Sequence, residues 1–171
     1  MSHKLIGISW LKSFPIVHSD IDDTFKVTDV FDNTVKVDIM AATDFTMMPG
    51  EARYIDTGLK IMATDHACII TVTPSENMIF KTSLDIRSAP VIRKINDLIE
   101  ETATFKFMIH NFKTPITYPV KIPGDRPSFM MDNKITLING DEISSTPGLV
   151  PMNSYLIRKN DIIAQILITK I

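Results

Sequence analysis

Between Thr34 and Ile39 the chain alternates polar and apolar side chains without a break: Thr34, Val35, Lys36, Val37, Asp38, Ile39. A period of two puts Val35, Val37 and Ile39 on one face of an extended strand and Lys36 and Asp38 on the other. Thr24-Phe25-Lys26-Val27-Thr28 repeats the pattern upstream, and Asp32-Asn33 between the two runs tolerates turn conformations. The pair therefore reads as a β-hairpin with one buried and one exposed face. The bias extends along the whole chain. Ile, Val and Thr supply 52 of the 171 residues, and β-branched side chains suit pleated, half-buried surfaces.

Further strands follow from the same reasoning. Pro49-Gly50-Glu51 marks a turn, followed by a strand from Arg53 to about Met62. Ala67 to Thr73 is an apolar run that ends at Pro74 and reads as a central strand. Thr104 to Phe112 alternates, with Phe105, Phe107 and Ile109 on one face; Thr117–Ile122 and Lys134–Ile138 are shorter candidates. The last run, Asp161 to Ile171, is almost continuously apolar, as a buried strand would be. One segment departs from the pattern. Pro90 to Glu101 carries apolar residues at 91, 92, 95, 98 and 99, a helical spacing with Pro90 in the first turn, which predicts one short helix at about 90–101. Six prolines and three glycines between Pro115 and Pro151 mark a loop-rich insertion at about 115–151. The length suits a single domain, 1–171, with a core large enough to fold without staples.

Several function classes are disfavoured. A net charge of −2 argues against broad nucleic-acid or anionic-lipid binding. A lone Cys68 excludes an internal disulfide framework and reads as a small buried hydrophobe. His3, His18, His66 and His110 lack metal-ligand spacing, and the Asp20, Asp22, Asp23 cluster reads as a solvated loop because no Gly follows at calcium-loop spacing. Six glycines, none clustered, leave no Gly-rich phosphate loop. Most of the ten methionines read as core gap-fillers, with Met47-Met48 and Met130-Met131 as candidates for an interaction surface. The N-terminal apolar run is interrupted at Trp10-Leu11-Lys12 before it reaches signal-peptide length, and no run approaches a membrane span. The expected location is cytoplasmic or virion-associated, because the Ile-, Lys- and Asn-rich vocabulary hints at an AT-rich, viral genome.

Two ordered segments carry a resemblance. Asp44-Phe45-Thr46-Met47-Met48-Pro49-Gly50-Glu51, continuing to Thr57-Gly58-Leu59-Lys60-Ile61, is similar to the stretch of trimeric dUTPases written "D-[YF]-T-[IL]-x-P-x-E-x-x-x-[IV]-x-T-G-[IL]-x-[IV]". Arg158-Lys159-Asn160-Asp161-Ile162-Ile163-Ala164-Gln165-Ile166-Leu167-Ile168 resembles that family's fourth motif, "K-G-D-R-I-A-Q-L-I". Asp38 lies six residues before Asp44, where the first motif, "G-Y-D-L", keeps an acid. Gly124-Asp125-Arg126 is a competing literal "G-D-R", but Pro127-Ser128-Phe129 follows it, so it reads as a turn in the insertion.

The resemblance implies an all-β fold, a dUTPase-like jelly-roll β-barrel in which 53–62 and 161–171 join the same barrel. It also implies a homotrimer whose sites are shared between subunits. The family's chemistry is magnesium-dependent hydrolysis of dUTP to dUMP and pyrophosphate, by positioning and charge neutralisation.

The site residues carry over unevenly. Asp38 matches as a magnesium-organising acid, without the preceding Gly-Tyr. The second motif, "P-R-S-G-L-A", falls at Thr73-Pro74-Ser75-Glu76-Asn77; Ser75 stands for the phosphate-contacting serine, and Glu76 sets a negative charge where a triphosphate would lie. The third motif's acid has only a displaced substitute, Asp97, and its tyrosine has none. In the fourth, Asp161 and Gln165 match, Asn160 replaces Gly, and Ile162 replaces Arg. The Gly-rich fifth motif is missing.

The favoured expectation is a non-catalytic dUTPase-fold protein, a binding or assembly module, trimeric or trimer-based, that needs no cofactor and has a protein partner and a viral structural or host-interaction role. The alternative is a divergent deoxynucleoside triphosphate diphosphatase using magnesium, with Asp38 and Asp97 as catalytic acids, Asp38 holding the metal, and Ser75 and Gln165 at the phosphates.

Overall fold

The structure, a computed structural model, describes residues 4–9, 16–19, 25–30, 33–57, 59–63, 65–95, 105–145 and 148–171. The chain begins with β1 (Lys4–Ser9), β2 (Ile16–Ser19), β3 (Phe25–Val30) and β4 (Thr34–Met40), then β5 (Phe45–Met47), β6 (Ala52–Asp56), β7 (Leu59–Ala63) and β8 (Cys68–Pro74). A short helix α1 (Glu76–Lys81) separates β8 from β9 (Leu84–Arg87), β10 (Val91–Arg93) and β11 (Lys106–Asn111). The remaining strands are β12 (Met131–Asp132), β13 (Lys134–Leu137), β14 (Glu142–Ser144), β15 (Val150–Pro151), β16 (Tyr155–Ile157) and β17 (Ile162–Lys170).

The expected hairpin forms, β3 pairing antiparallel with β4. It is one flank of a five-stranded sheet ordered β10-β8-β17-β4-β3. The nine-residue β17 lies at its centre, hydrogen-bonded to β4 on one side and β8 on the other. Strand β4 buries Val35, Val37 and Ile39 and turns Lys36 and Asp38 outward, as its alternation requires. Strand β17 needs apolar residues on most positions because it is covered on both edges and on its inner face, where Ile166 and Ile168 are fully buried.

The other sheets, β6-β11-β9 and β14-β13-β16-β5, face the same core, with β2-β1-β7 and the pair β12-β15 beside them. Val37, Ile39, Ile166 and Ile168 from the large sheet pack in one cluster with Met47, Phe107, Ile109, Tyr155 and Ile157. Ile55, Ile61 and Ile163 belong to that cluster or pack on it, so the 53–62 and 161–171 stretches do line one core. Among the described residues the hydrogen bonding runs as open sheets, with no closed ring of strands.

Three expectations are corrected. The helix at about 90–101 is not found in its described part: Val91, Ile92 and Arg93 form β10 and pair with Ile70, Ile69 and Cys68. β-Branched Val91 and Ile92 complete the edge of β8, and that pairing outweighs a spacing that fitted a helix equally well. Residues 96–101, with Asp97, lie outside the described residues, as do Asp20, Asp22 and Asp23. The helix instead occupies Glu76–Lys81, where Ser75 is the N-cap, Glu76 sits in the first turn and Lys81 in the last. The 53–62 strand is two strands, β6 and β7, which join different sheets. Thr117–Ile122 makes only a bridge, Thr117 to Phe129. The insertion also contributes β13, whose Ile135 and Leu137 are buried.

Candidate functional site

Asp38 of β4 and Gln165 of β17 are direct neighbours in register, and Thr73 of β8 stands on the other side of Gln165. Gln165 Nε2 donates to Asp38 Oδ1 at 3.3 Å. Thr73 Oγ1 donates to the Gln165 carbonyl at 3.5 Å. On β3, Lys26 is the register partner of Asp38. Thr73, Gln165 and Asp38 thus form a polar row across the outer face of the large sheet.

Beyond β8 the chain turns at Ser75, whose backbone N–H donates to the Ile163 carbonyl at 3.3 Å. Ser75 Oγ accepts from the Met78 N–H at 3.4 Å, and Met78, fully buried, anchors the helix. These contacts set α1 beside the Asp38–Gln165 row and enclose an open cleft of about 440 Å³ lined by Lys36, Asp38, Ser75, Glu76, Asn77, Ile162 and Gln165. Three sequence-designated residues, Asp38, Ser75 and Gln165, therefore meet in one place. Asp97 lies outside the described residues. Asp161, matched in the fourth motif, is not in the cleft: its carboxylate accepts the Arg158 N–H at 2.8 Å and closes the turn into β17.

Lys36 and Asn77 line the cleft without having been singled out. Lys36 was already legible as the residue two before Asp38 on the same strand face. Asn77 depends on the helix at Glu76–Lys81, which is too short for periodicity to reveal.

The electrostatics do not favour an anion. Among the described lining residues, two carboxylates, Asp38 and Glu76, face one ammonium, Lys36. Ile162, 43% exposed, presents an aliphatic surface at the position of the fourth motif's arginine. Ser75 is buried, with its hydroxyl oxygen capping α1. No group of three or more His, Cys, Asp or Glu able to hold a metal occurs among the described residues.

The residues that match best outside the cleft are bound up in backbone support. Asp44 Oδ1 accepts the Lys159 N–H at 2.7 Å and ties the turn before β5 to the turn before β17. Glu51 accepts from the Met48 N–H at 2.7 Å and from Arg53, whose Nη2 is 2.7 Å away and whose guanidinium lies over the Phe45 ring. Thr57 Oγ1 donates to the Phe105 carbonyl at 2.7 Å. Asn160 holds φ at 72° where the fourth motif has glycine, and Asn tolerates this left-handed conformation better than most residues. The turn geometry survives the exchange. Residues 122–125 form an exposed turn with Gly124 at φ 91°, so Gly124-Asp125-Arg126 belongs to the insertion, away from the Asp38–Gln165 row.

No protein-family profile and no curated protein sequence matches the chain. Solved structures do. The dUTPase of Staphylococcus bacteriophage 80alpha bound to dUPNHPP superposes with a TM-score of 0.62 at 19% identity, over 86% of this chain and 75% of that one. A point mutant of the same dUTPase with dUpNHpp gives 0.59 at 20% identity, over 80% of this chain and 70% of that one. A mutant dUTPase from phage phi11 of S. aureus gives 0.56 at 18% identity, over 80% and 76%. The chain has an all-β, dUTPase-like fold, and at 18–20% identity the likeness is one of fold.

Proposed function

We propose that this chain is a non-catalytic dUTPase-fold protein that works as a binding or assembly module. The observation that carries the proposal is the cleft itself. Its described lining holds Asp38 and Gln165 beside Glu76 and Ile162, a carboxylate and an aliphatic chain at the positions where the resembled motifs have Gly and Arg. Electrostatic stabilisation is the main resource of phosphoryl chemistry, and two carboxylates against one ammonium among the described lining residues work against it.

The family resemblance favours a homotrimer or a trimer-based assembly, and one surface supports self-association. On the outer face of β6-β11-β9, Tyr54 (72% exposed) is the register neighbour of Met108, which in turn neighbours Arg87; the Arg87 guanidinium lies over Phe112. Tyr, Met, Arg and Phe are the residues enriched at protein interfaces. Phage dUTPases, that of phage 80alpha among them, are described as controlling transfer of virulence genes by a proto-oncogenic G protein-like mechanism, so the fold elsewhere carries a controlling role. A viral structural or host-interaction role, cytoplasmic or in the virion, fits this reading. Among the described residues no helix is long and apolar enough to cross a membrane.

A second reading rests on the contact between Gln165 and Asp38 beside Ser75: a divergent magnesium-dependent deoxynucleoside triphosphate diphosphatase. The phi11 dUTPase coordinates a structural Mg(II) ion. In this chain Asp38 is the carboxylate that would hold magnesium, and one carboxylate suffices only where substrate phosphates supply further oxygens. The ion would neutralise phosphate charge there. Gln165 orients the Asp38 carboxylate, and Glu76 opposes the incoming anion.

A pyrophosphate- and phosphate-release assay with a panel of deoxynucleoside triphosphates and magnesium separates the readings. The proposal expects no turnover above the magnesium-only background. Turnover that disappears in Asp38→Asn would overturn it in favour of the hydrolase.

A further inference from the structure

Three strands of the large sheet end side by side, and the last row of their inner face differs from the rest of the core. Register sets Arg93 of β10 and Lys170 of β17 on either side of Cys68 of β8. Residues directly opposite one another on neighbouring strands share a face. Cys68 is fully buried, so both cations sit on the core side of the sheet. The next row inward agrees: Val91, Ile70 and Ile168, in the same register, all pack in the core.

Cations so placed need a counter-charge or water. Lys and Arg ordinarily bury their stems and carry the charged head out to solvent. Both residues here are half-buried, and neither has a carboxylate partner among the described residues. Asp65, in the turn that enters β8, is already engaged. Arg93 goes further: its Nε is closed off from solvent and has no hydrogen-bond partner. A buried donor on a charged group is costly to leave unpaired, and such a donor in a native fold calls for a water or an ion.

The chemistry of the row selects the ion. Burial raises the Cys68 thiol and the Arg93 guanidinium opposes that rise, so the guanidinium charge lies close to the sulfur. Neighbouring strands lie about 4.8 Å apart, which sets the Arg93 and Lys170 backbones about 10 Å from each other, within the combined reach of two long side chains. A guanidinium edge offers two parallel N–H groups to two oxygens of one oxyanion, and an ammonium supplies a second charge. Two cations match a phosphate group, which carries about −1.5 to −2 at neutral pH, better than a singly charged carboxylate.

We infer that Arg93 and Lys170 form a binding site for a phosphate group, free or as a monoester, at the Cys68 end of the large sheet. The site is separate from the cleft and does not depend on whether the cleft is catalytic. Thr73 and Gln165 lie on the opposite face of the same two strands, and about 17 Å of strand separates Gln165 from Lys170.

The test uses the full chain. Inorganic phosphate, a nucleoside monophosphate and acetate are titrated in turn, followed by the Arg93 Nε–H signal and the Lys170 amide in ¹⁵N spectra. Arg93→Gln and Lys170→Gln each remove one charge, with circular dichroism checking the fold; the first is read at the Lys170 amide and the second at the Arg93 Nε–H. The wild type is expected to show a saturable shift with phosphate or the monoester, and the tighter of the two gives the form that the site takes. Each variant should bind at least about tenfold more weakly, as for loss of a charged hydrogen-bonding partner. Acetate should bind more weakly than phosphate. Absence of a saturable shift with both phosphate forms means that water serves the Nε–H, and overturns the inference. Binding that either intact variant retains in full, or acetate bound as tightly as phosphate, also overturns it. If Arg93→Gln fails to fold, Lys170→Gln decides alone.

Discussion

The turns around Asp44, Glu51 and Thr57 and the cleft around Asp38 both lie in stretches that resemble the same family, yet their polar side chains do different work. Asp44, Glu51 and Thr57 all bond to the backbone of a distant or adjoining segment. In the cleft, Asp38 bonds to another side chain, and Glu76, Asn77 and Ile162 are exposed. Thr57 satisfies a half-buried carbonyl, and Asp44 and Glu51 fix exposed turns, so none of the three can change without a backbone group losing the partner that holds it in place. A cleft side chain has water as a ready alternative, so Glu76 and Ile162 can occupy positions where the family has other residues. The turns of the scaffold depend on polar groups spent on backbone, and the Asp38 and Gln165 side chains of the cleft carry no such duty.

The largest test of that contrast is Asn111. It is fully buried, donates to two carbonyls, and accepts the Lys113 N–H at 3.1 Å. Asn111→Ala strips three backbone groups of a partner at once and should cost about 3 kcal/mol in urea unfolding followed by circular dichroism. A loss below about 1 kcal/mol would break the comparison at its stronger end. Glu51→Ala comes next. Its carboxylate serves the Met48 N–H and Arg53, but the Arg53 side chain is 40% exposed, so solvent offsets part of the loss. The same measurement should show about 1.5 kcal/mol.

How far the sequence alone carried the contrast depends on period and length. Strand β4 was legible because one face is buried and the other is wet, which writes its geometry into alternate letters. Strand β10 was not, because apolar residues at 91, 92 and 95 satisfy a helical stripe as well as a short strand, and only its neighbour β8 decides between them. Helix α1 hid for the opposite reason. Six residues hold too little periodicity, although Ser75, Glu76 and Lys81 were each in place for a cap and a dipole. The meeting of Asp38, Ser75 and Gln165 spans 127 residues of chain between its first and last member and came from ordered family likeness. Nothing local encodes that distance. Lys36 needed only the strand face already drawn.

Strand β8 holds both ends of the comparison. Its first residue, Cys68, is sealed in the core, and its last, Pro74, precedes Ser75 of the cleft lining. Burial pushes the Cys68 thiol up from its ordinary value of 9.0, against a smaller downward pull from the Arg93 guanidinium. The sign follows directly. Well below pH 9 both folded and unfolded chains keep the thiol proton, and stability is undiminished. Above it the unfolded chain ionises first, so stability falls as pH rises toward the raised folded value. Unfolding midpoints compared between about pH 8 and about pH 10 for the wild type and Cys68→Ser should show a steeper alkaline loss in the wild type. In native protein at about pH 7.5 the thiol should resist an alkylating reagent and react fully once unfolded. Equal reaction in both states would remove Cys68 from the sealed end.

The smallest expected effect is the most discriminating. Asp38 sits on the polar face of β4, half-buried, with one 3.3 Å hydrogen bond from Gln165, and Asp38→Asn retains the shape and an amide oxygen that can still accept it. If the cleft is spent on solvent, the substitution should move stability by no more than about 0.5 kcal/mol. Its charge effect should appear elsewhere. Removing one of two carboxylates from a lining whose cation is Lys36 leaves the cleft near neutral, and Asp38→Asn/Glu76→Gln makes it net positive. Titration of tripolyphosphate, followed by the amide signals of Gln165 and Asn77, should give no saturable shift in the wild type and a measurable one in the double variant. A loss of more than about 2 kcal/mol in Asp38→Asn would place Asp38 with Glu51 as a scaffold residue and erase the division. Saturable binding by the wild type would show that Glu76 fails to repel the anion, and would return the cleft to the hydrolase reading.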